Sequence, residues 1–433
     1  MKKIISLITL SFFIWNISFS QIKTEYWSNK SKSGEGNYLD SLKDGKWTFW
    51  YQNGEKWGEG VFAKGEKIGL WTYWYQNRNK WSKINYQNGS DSSWYENGQL
   101  EKVGEIKDAK MNGKWTSWHE NGKLKEETNY VLNAKNGKSI TYFDNSVKEF
   151  EGIYLNDFIE GYAKWWKKTG NLDMEGKSIR GLQDSTWIFY HDKGGIGSKG
   201  NFTKGLQDGK WTYYYETGEK WKEGSFVNGK KEGIWTTLYE NGEKEHEGVF
   251  LNGKESGIWT SWYKNGQEKT IGTFKEGLMY NLWTGYYESG VKKYEIYYKD
   301  NLKNGSYTYC FENEKKMTEC NFKNDILNGA SKKWYNSGIA LESGTYKNGK
   351  QDGNWIFYDK TGVVFKEQNF SNGIPNGKWI SYYANGLKSA QGSNINGYKH
   401  GLWTYWDNKG SIIYQVTYKK GKKIKEVKAE NKK

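Results

Sequence analysis

The sequence predicts an all-β fold: an elongated, solenoid-like array of β-hairpins forming one long twisted antiparallel sheet. Three observations predict it. A tryptophan recurs on a 24-residue period along most of the chain. Two glycine-rich turn signals fall in each period. Between them lie short aromatic and β-branched runs that suit a pleated strand, and no segment of the array shows the 3.6-residue apolar spacing of a helix.

Composition agrees. The 433 residues include 25 Trp, 34 Tyr and 53 Gly, but one Pro, Pro375. Hydrophobic residues make up 35%, too few for a large aliphatic core, while an aromatic content of 18% excludes a disordered chain. Small self-similar units joined by rings satisfy both figures.

The first element, residues 1–20, reads as a secretory signal peptide. Lys2 and Lys3 precede an apolar run from Ile4 to Phe19, and Ser18 and Ser20 are the small residues before a cut at Gln21. The expected location is the periplasm, the cell surface or the medium. Residues 21–44 form a degenerate N-terminal capping repeat, recognised by Tyr26, Trp27, Asn29 and Gly36. Residues 45–421 carry sixteen repeats, and residues 422–433 are a basic tail expected to be unstructured.

Within the array the phase is kept by Trp47, Trp71, Trp115, Trp187, Trp211, Trp235, Trp259, Trp283, Trp355, Trp379 and Trp403. Asp91, Ser139, Ala163, Tyr307 and Ser331 replace the tryptophan in the remaining units, and four residues are missing between Trp71 and Asp91. A typical unit starts at Gly209. Trp211 to Tyr215 is the first strand, Thr217-Gly218 the turn, Lys220 to Phe226 the second strand, and Gly229 the return. The first turn is Asn-Gly in other units, as at Asn53-Gly54 and Asn241-Gly242, a pair suited to positive φ angles.

A single hairpin is marginal in water, so the copies must bury one another's rings. The eleven tryptophans are therefore read as a structural ladder, each beside the next. Glycine stands two residues before the ladder position in fourteen of sixteen units, Ser185 and Asn281 being the exceptions. It is expected to receive a neighbouring ring against bare backbone, or to relieve a bend. Thirty-two strands at ~4.8 Å would extend roughly 150 Å as a rod.

A second aromatic row lies one pleat over: Trp50, Trp74, Trp94, Trp118, Trp166, Tyr190, Tyr214, Trp262, Trp334 and Trp406. Alternation puts Trp47 and Trp50 on opposite faces, so both rows are not buried in a one-layer sheet. The second row is taken as the candidate binding row, an accessible groove for an extended partner.

The pattern G-x-W-x-x-Y-Y-x-N-G-x-x-x-x-E-G-x-F-x-N-G resembles the bacterial MORN-variant repeat, found in YwqK-type antitoxin proteins. The resemblance covers residues 45–421. It implies a β-hairpin ribbon used for protein or lipid contact and for dimerisation, with no catalytic residues to transfer. A second likeness, to the choline- or glucan-binding repeats of cell-wall proteins, rests on the same Gly-Trp, Tyr-Tyr and Asn-Gly pairs. It implies rings that cage a ligand.

No catalytic, cofactor-binding or metal constellation is predicted. His119 and His191 occupy a tyrosine position three units apart, and His246 and His400 sit elsewhere in the phase. Ligands to one metal must converge within a few ångströms. Gly176-Lys177-Ser178 has the wrong spacing for a phosphate loop, and Lys360-Thr361-Gly362 is a hairpin turn. Glu59, Glu223 and Glu247 are read as a solvated row balancing nearby lysines. Cys310 and Cys320 share one unit, and an oxidising compartment would permit a bridge. With the turn near Asn313-Glu314, Cys310 faces about Met317, which leaves Cys320 near ~10 Å away.

Charge narrows the partners. The net charge is +15, or +13 without Lys2 and Lys3, and +4 of that belongs to residues 422–433. Anionic lipid or acidic wall polymers suit such a surface, whereas nucleic acid is set aside for an exported chain without a basic groove. The expected function is an exported, non-catalytic repeat scaffold that binds a protein or an envelope polymer through its aromatic rows, with oligomerisation allowed. The alternatives are a carbohydrate- or wall-binding module and a secreted antitoxin- or immunity-like partner.

Overall fold

The computed structural model describes residues 21–428. The signal-peptide segment 1–20 and residues 429–433 lie outside the described residues. Among the described residues all regular structure is β: thirty-six strands arranged as repeating antiparallel hairpins. It falls into two compact units. One runs to Gly195 and includes Phe202–Gly205; the other comprises Ile196–Asn201 and the chain from Leu206.

In the first unit strands pair with their sequence neighbours, except that Phe158–Ile159 and Gly161–Trp166 both pair with Lys148–Leu155. Lys56–Ala63 lies between Leu42–Trp50 and Glu66–Trp74. The N-terminal cap is a true hairpin, Gln21–Tyr26 against Lys32–Leu39. The short repeat near residue 90 keeps its pairing although its strands, Lys80–Asn85 and Ser90–Trp94, are truncated. In the second unit Lys220–Val227 lies between Leu206–Tyr214 and Lys230–Leu238 in the same way. The tail differs from expectation. Lys422–Lys428 is a strand paired with Ile412–Lys419, because the edge of the last hairpin offers an unpaired row of backbone groups.

The two glycine turns have different geometries. The return turn has both central residues at positive φ, as in Asn228 (50°) and Gly229 (76°), the type I′ shape that matches strand twist. The first turn is longer. Gly54 N–H donates to the Tyr51 carbonyl and Tyr51 N–H to the Glu55 carbonyl, with Gly54 alone at positive φ (83°). Asn53 therefore acts by hydrogen bonding and not by adopting positive φ: its Oδ1 accepts the Glu55 N–H at 3.1 Å.

The glycine two before each ladder position serves one of its two expected purposes. Pairing jumps from Gly36↔Trp47 to Asn37↔Asp44, so Gly45 and Lys46 bulge from that ladder. Gly45 sits at φ 70°, and Ser185 (58°) and Asn281 (59°) adopt the same conformation where glycine is absent. It relieves the bend. No ring lies on it, however: the nearest atom to a Cβ placed at Gly45 would be Asn37 Nδ2, at 3.5 Å.

Candidate functional site: two aromatic faces

The ladder face is built on a glycine that sequence reasoning missed. Every ladder indole but Trp379 lies flat over the glycine eleven residues earlier, across the strand pair: Trp47 on Gly36, Trp71 on Gly60, Trp115 on Gly104, Trp187 on Gly176. In the second unit Trp235 covers Gly224, Trp259 Gly248, Trp283 Gly272, Trp355 Gly344 and Trp403 Gly392. The bulge leaves the next carbonyl without a ladder partner, and the indole N–H takes it. Trp47 Nε1 donates to Asn37 O at 2.9 Å, and Trp235 Nε1 to Ser225 O at 3.1 Å. A large ring is thus buried with its one polar atom satisfied. Trp47, Trp71, Trp115, Trp187, Trp211, Trp235, Trp283, Trp355 and Trp403 are buried; Trp259 and Trp379 are half-buried.

Trp379 explains itself. The residue eleven before it is Gln368, buried and paired with it, so no bare backbone is available. Its indole instead contacts Trp403, centroids 5.0 Å apart. The same rule covers the substituted units: Thr128 faces Ser139 with their hydroxyls 2.5 Å apart, and Cys320 faces Ser331. Where the glycine is lost, so is a well-seated tryptophan. The signal was legible as Glu-Gly followed at a fixed distance by Trp.

Ladder tryptophans do not simply stand side by side, as expected, but are wedged apart by the closing aromatics. Phe62 meets Trp71 edge-on at 4.8 Å and Trp47 at 6.2 Å. Phe226 repeats this between Trp211 and Trp235. The second ring of the same strand also joins this face, since i and i+2 point the same way. Phe49 stacks on Trp47 at 5.6 Å and reaches Trp71 at 6.1 Å. Lysine ammoniums stand over several of these rings, Lys43 4.1 Å from Trp47 and Lys399 4.2 Å from Trp403.

The opposite face carries the candidate binding row. Trp50, Trp74, Trp94, Trp118, Trp166, Tyr190, Tyr214, Trp262, Trp334 and Trp406 are all half-buried. Their ring faces are partly occupied. Lys56 pairs with Glu59 at 3.0 Å and also stands 4.9 Å from the Trp74 ring centre. Lys148 with Glu151 does the same for Trp166, and Lys244 with Glu247 for Trp262. The carboxylate before each Gly is therefore the lysine-balancing row that was expected. Hydrogen bonds from Lys138 and Lys148 lower the Glu151 carboxyl to about 2. Tyr190 turns its hydroxyl to Glu175 at 2.6 Å; burial and that hydrogen bond push it up.

The residue after each member of this row stitches hairpins together. Tyr51 Oη donates to Trp74 O and Tyr215 Oη to Leu238 O, both at 2.8 Å. His119 does the tyrosine's work, its Nε2 2.8 Å from Tyr142 O, and Trp27 does it for the cap by donating to Trp50 O. Among the described residues no group of three or more His, Cys, Asp and Glu converges. Cys310 and Cys320 are free thiols, Cys310 opposite Lys316 and Cys320 opposite Tyr307.

Six segments match the family model described as MORN repeat variant: residues 43–64, 111–131, 207–228, 279–300, 351–372 and 399–420. These six matches support a MORN-variant repeat architecture along the chain. No curated protein matches it. Among solved structures, the crystal structure of TcdB2-TccC3 is 8% identical with a TM-score of 0.16, covering 92% of this chain and 29% of that one. The Photorhabdus luminescens Tc holotoxin pore is 11% identical with a TM-score of 0.15, covering 93% and 24%. This chain spans less than a third of either, and likenesses at these scores carry no argument.

Proposed function

We infer that the chain is an exported, non-catalytic repeat scaffold whose face opposite the ladder binds another protein. One observation carries the reading. That face leaves aliphatic side chains open beside the lysine-capped rings: in the second unit Ile234 is 64% exposed, Ile258 63% and Val249, paired with Ile234, 37%. Contiguous open apolar surface on a repeat protein is the ordinary mark of a contact surface. Sugar stacking needs a bare ring face, and at Trp74, Trp166 and Trp262 an ammonium already stands there. The rings therefore favour a polypeptide over a glycan. Export rests on the segment Met1 to Ser20.

The test uses the full chain as bait on native envelope material, beside the variant Ile234→Glu/Ile258→Glu. A specific protein retained by the first and lost by the second supports the reading. Retention on purified wall polymer, released by free sugar and unaffected by the double variant, replaces it with the carbohydrate reading. A partner that is a toxin neutralised on binding would select the immunity alternative.

A further inference from the structure

At one of the units that lack the ladder tryptophan, the shortened one, the chain leaves a hollow. Four residues are missing between Trp71 and Asp91. Ile84 stands where a unit carries its glycine, and Asp91, paired with it, where the indole belongs. The space is a cavity of about 390 Å³ walled by Trp57, Tyr73, Trp81, Ile84, Asp91 and Glu101.

Its wall has two chemistries. Trp57 and Tyr73 stack with centroids 6.0 Å apart at 19°, and Trp81 meets Tyr73 at 6.0 Å and 67°. Tyr73 is itself 7% exposed, stacked also on Trp71 and bonded at its hydroxyl by Lys67, so the open ring is Trp81, 45% exposed and inclined to the Trp57–Tyr73 stack. Two carboxyl groups, of Asp91 and Glu101, join the lining. Glu101 accepts the Ser93 hydroxyl at 2.7 Å. Asp91 makes no ion pair among the described residues. Burial raises its pKa and the nearby Lys102 charge opposes the rise. Lys102 itself lines the cavity but stands over the Trp115 ring, 5.7 Å from its centre.

We propose that this gap binds an organic ammonium group, supplied by a small amine or by a lysine side chain of a partner. Ring faces attract a cation through their quadrupole, and the carboxylates supply its counter-charge. An anion would meet both carboxylates, and a neutral apolar ligand would leave Asp91 buried beside it without gain. A bare metal ion would have little use for an indole wall. The site lies on the ladder face and stands apart from the partner surface proposed above.

The experiment titrates the full chain with tetramethylammonium, with N-acetyl-lysine methylamide and with the neutral tert-butyl analogue 3,3-dimethyl-1-butanol, following tryptophan emission. Saturable binding of either cation is expected, and not of the alcohol; the cation that binds names the source. Asp91→Asn and Trp81→Ala should each weaken it about tenfold. Trp221→Ala should leave it unchanged, since Trp221 lies 6.2 Å from Tyr215 in an intact repeat just as Trp81 lies from Tyr75. If Trp81→Ala fails to fold by circular dichroism, the near-isosteric Asp91→Asn decides alone. No saturable response to either cation, an equal response to the alcohol, or undiminished affinity in Asp91→Asn overturns the proposal.

Discussion

Trp235 lies flat on Gly224, so close that a methyl group on that glycine would fall 2.2 Å from the ring. The contact, repeated along both units, is what couples one hairpin to the next.

Gly224→Ala should therefore unseat the indole and destabilise by about 1–3 kcal/mol, the usual range for overpacking. Trp235→Ala should cost more, about 3–5 kcal/mol, by leaving a cavity and an unpaired Ser225 carbonyl. In the double variant the alanine methyl meets no ring, so its cost should approach that of Trp235→Ala alone. Native-state hydrogen exchange over residues 230–251 reads the cycle. Simple additivity would contradict the contact.

The reverse change is also informative. Gln368→Gly should open the seat that Trp379 lacks, letting its indole N–H reach the Asn369 carbonyl as its homologues do. One additional slowly exchanging indole N–H in the NMR spectrum is the expected result. Unchanged exchange would mean that something other than Gln368 holds the ring out.

His119 fills a tyrosine's place and makes a tyrosine's bond. His119→Tyr should leave stability within a few tenths of a kcal/mol, whereas His119→Ala should lose about 0.5–1.5 kcal/mol, one ordinary hydrogen bond. Amide exchange near Tyr142 is the readout.

Glu151 gives a pH signature. Its carboxyl is lowered from 4.5 to about 2 by Lys138 and Lys148, so its contribution is present above pH 4.5 and is lost as pH falls toward 2. The difference in thermal midpoint between the wild type and Glu151→Gln should shrink across that window. A difference that is flat with pH would show that the ion pairs do no net work. The pairs are partly exposed, so the effect should be modest and weakened by salt.

Much of this was open to reading in the chain itself, for a physical reason. A 24-residue period leaves each position sampled many times, so strand, turn and ladder register emerge from repetition. The hairpins followed, and His119 was already visible in a tyrosine's place. What escaped was relational. Gly60 reads as a turn or a bulge until its partner Trp71 is known, and Phe49 reads as a neighbour of Trp50 until pleating sets it beside Trp47. The lysines over Trp74 and Trp166 belong to the preceding hairpin, so no local window joins them. The tail misled for a similar reason: its lysines suggest solvent, yet the hairpin edge beside it supplies the pairing that orders it.

The tyrosine stitch reaches forward by one whole copy, and at the shortened hairpin it still closes, from Tyr75 to Trp94, over nineteen residues instead of twenty-three. A joint that tolerates such a deletion makes length an inheritable variable. Duplication or excision of a single copy in the gene would present the severed ends with the same donor and the same carbonyl, and the chain would heal. Lineages can thus lengthen or trim this molecule in increments while its chemistry stays fixed.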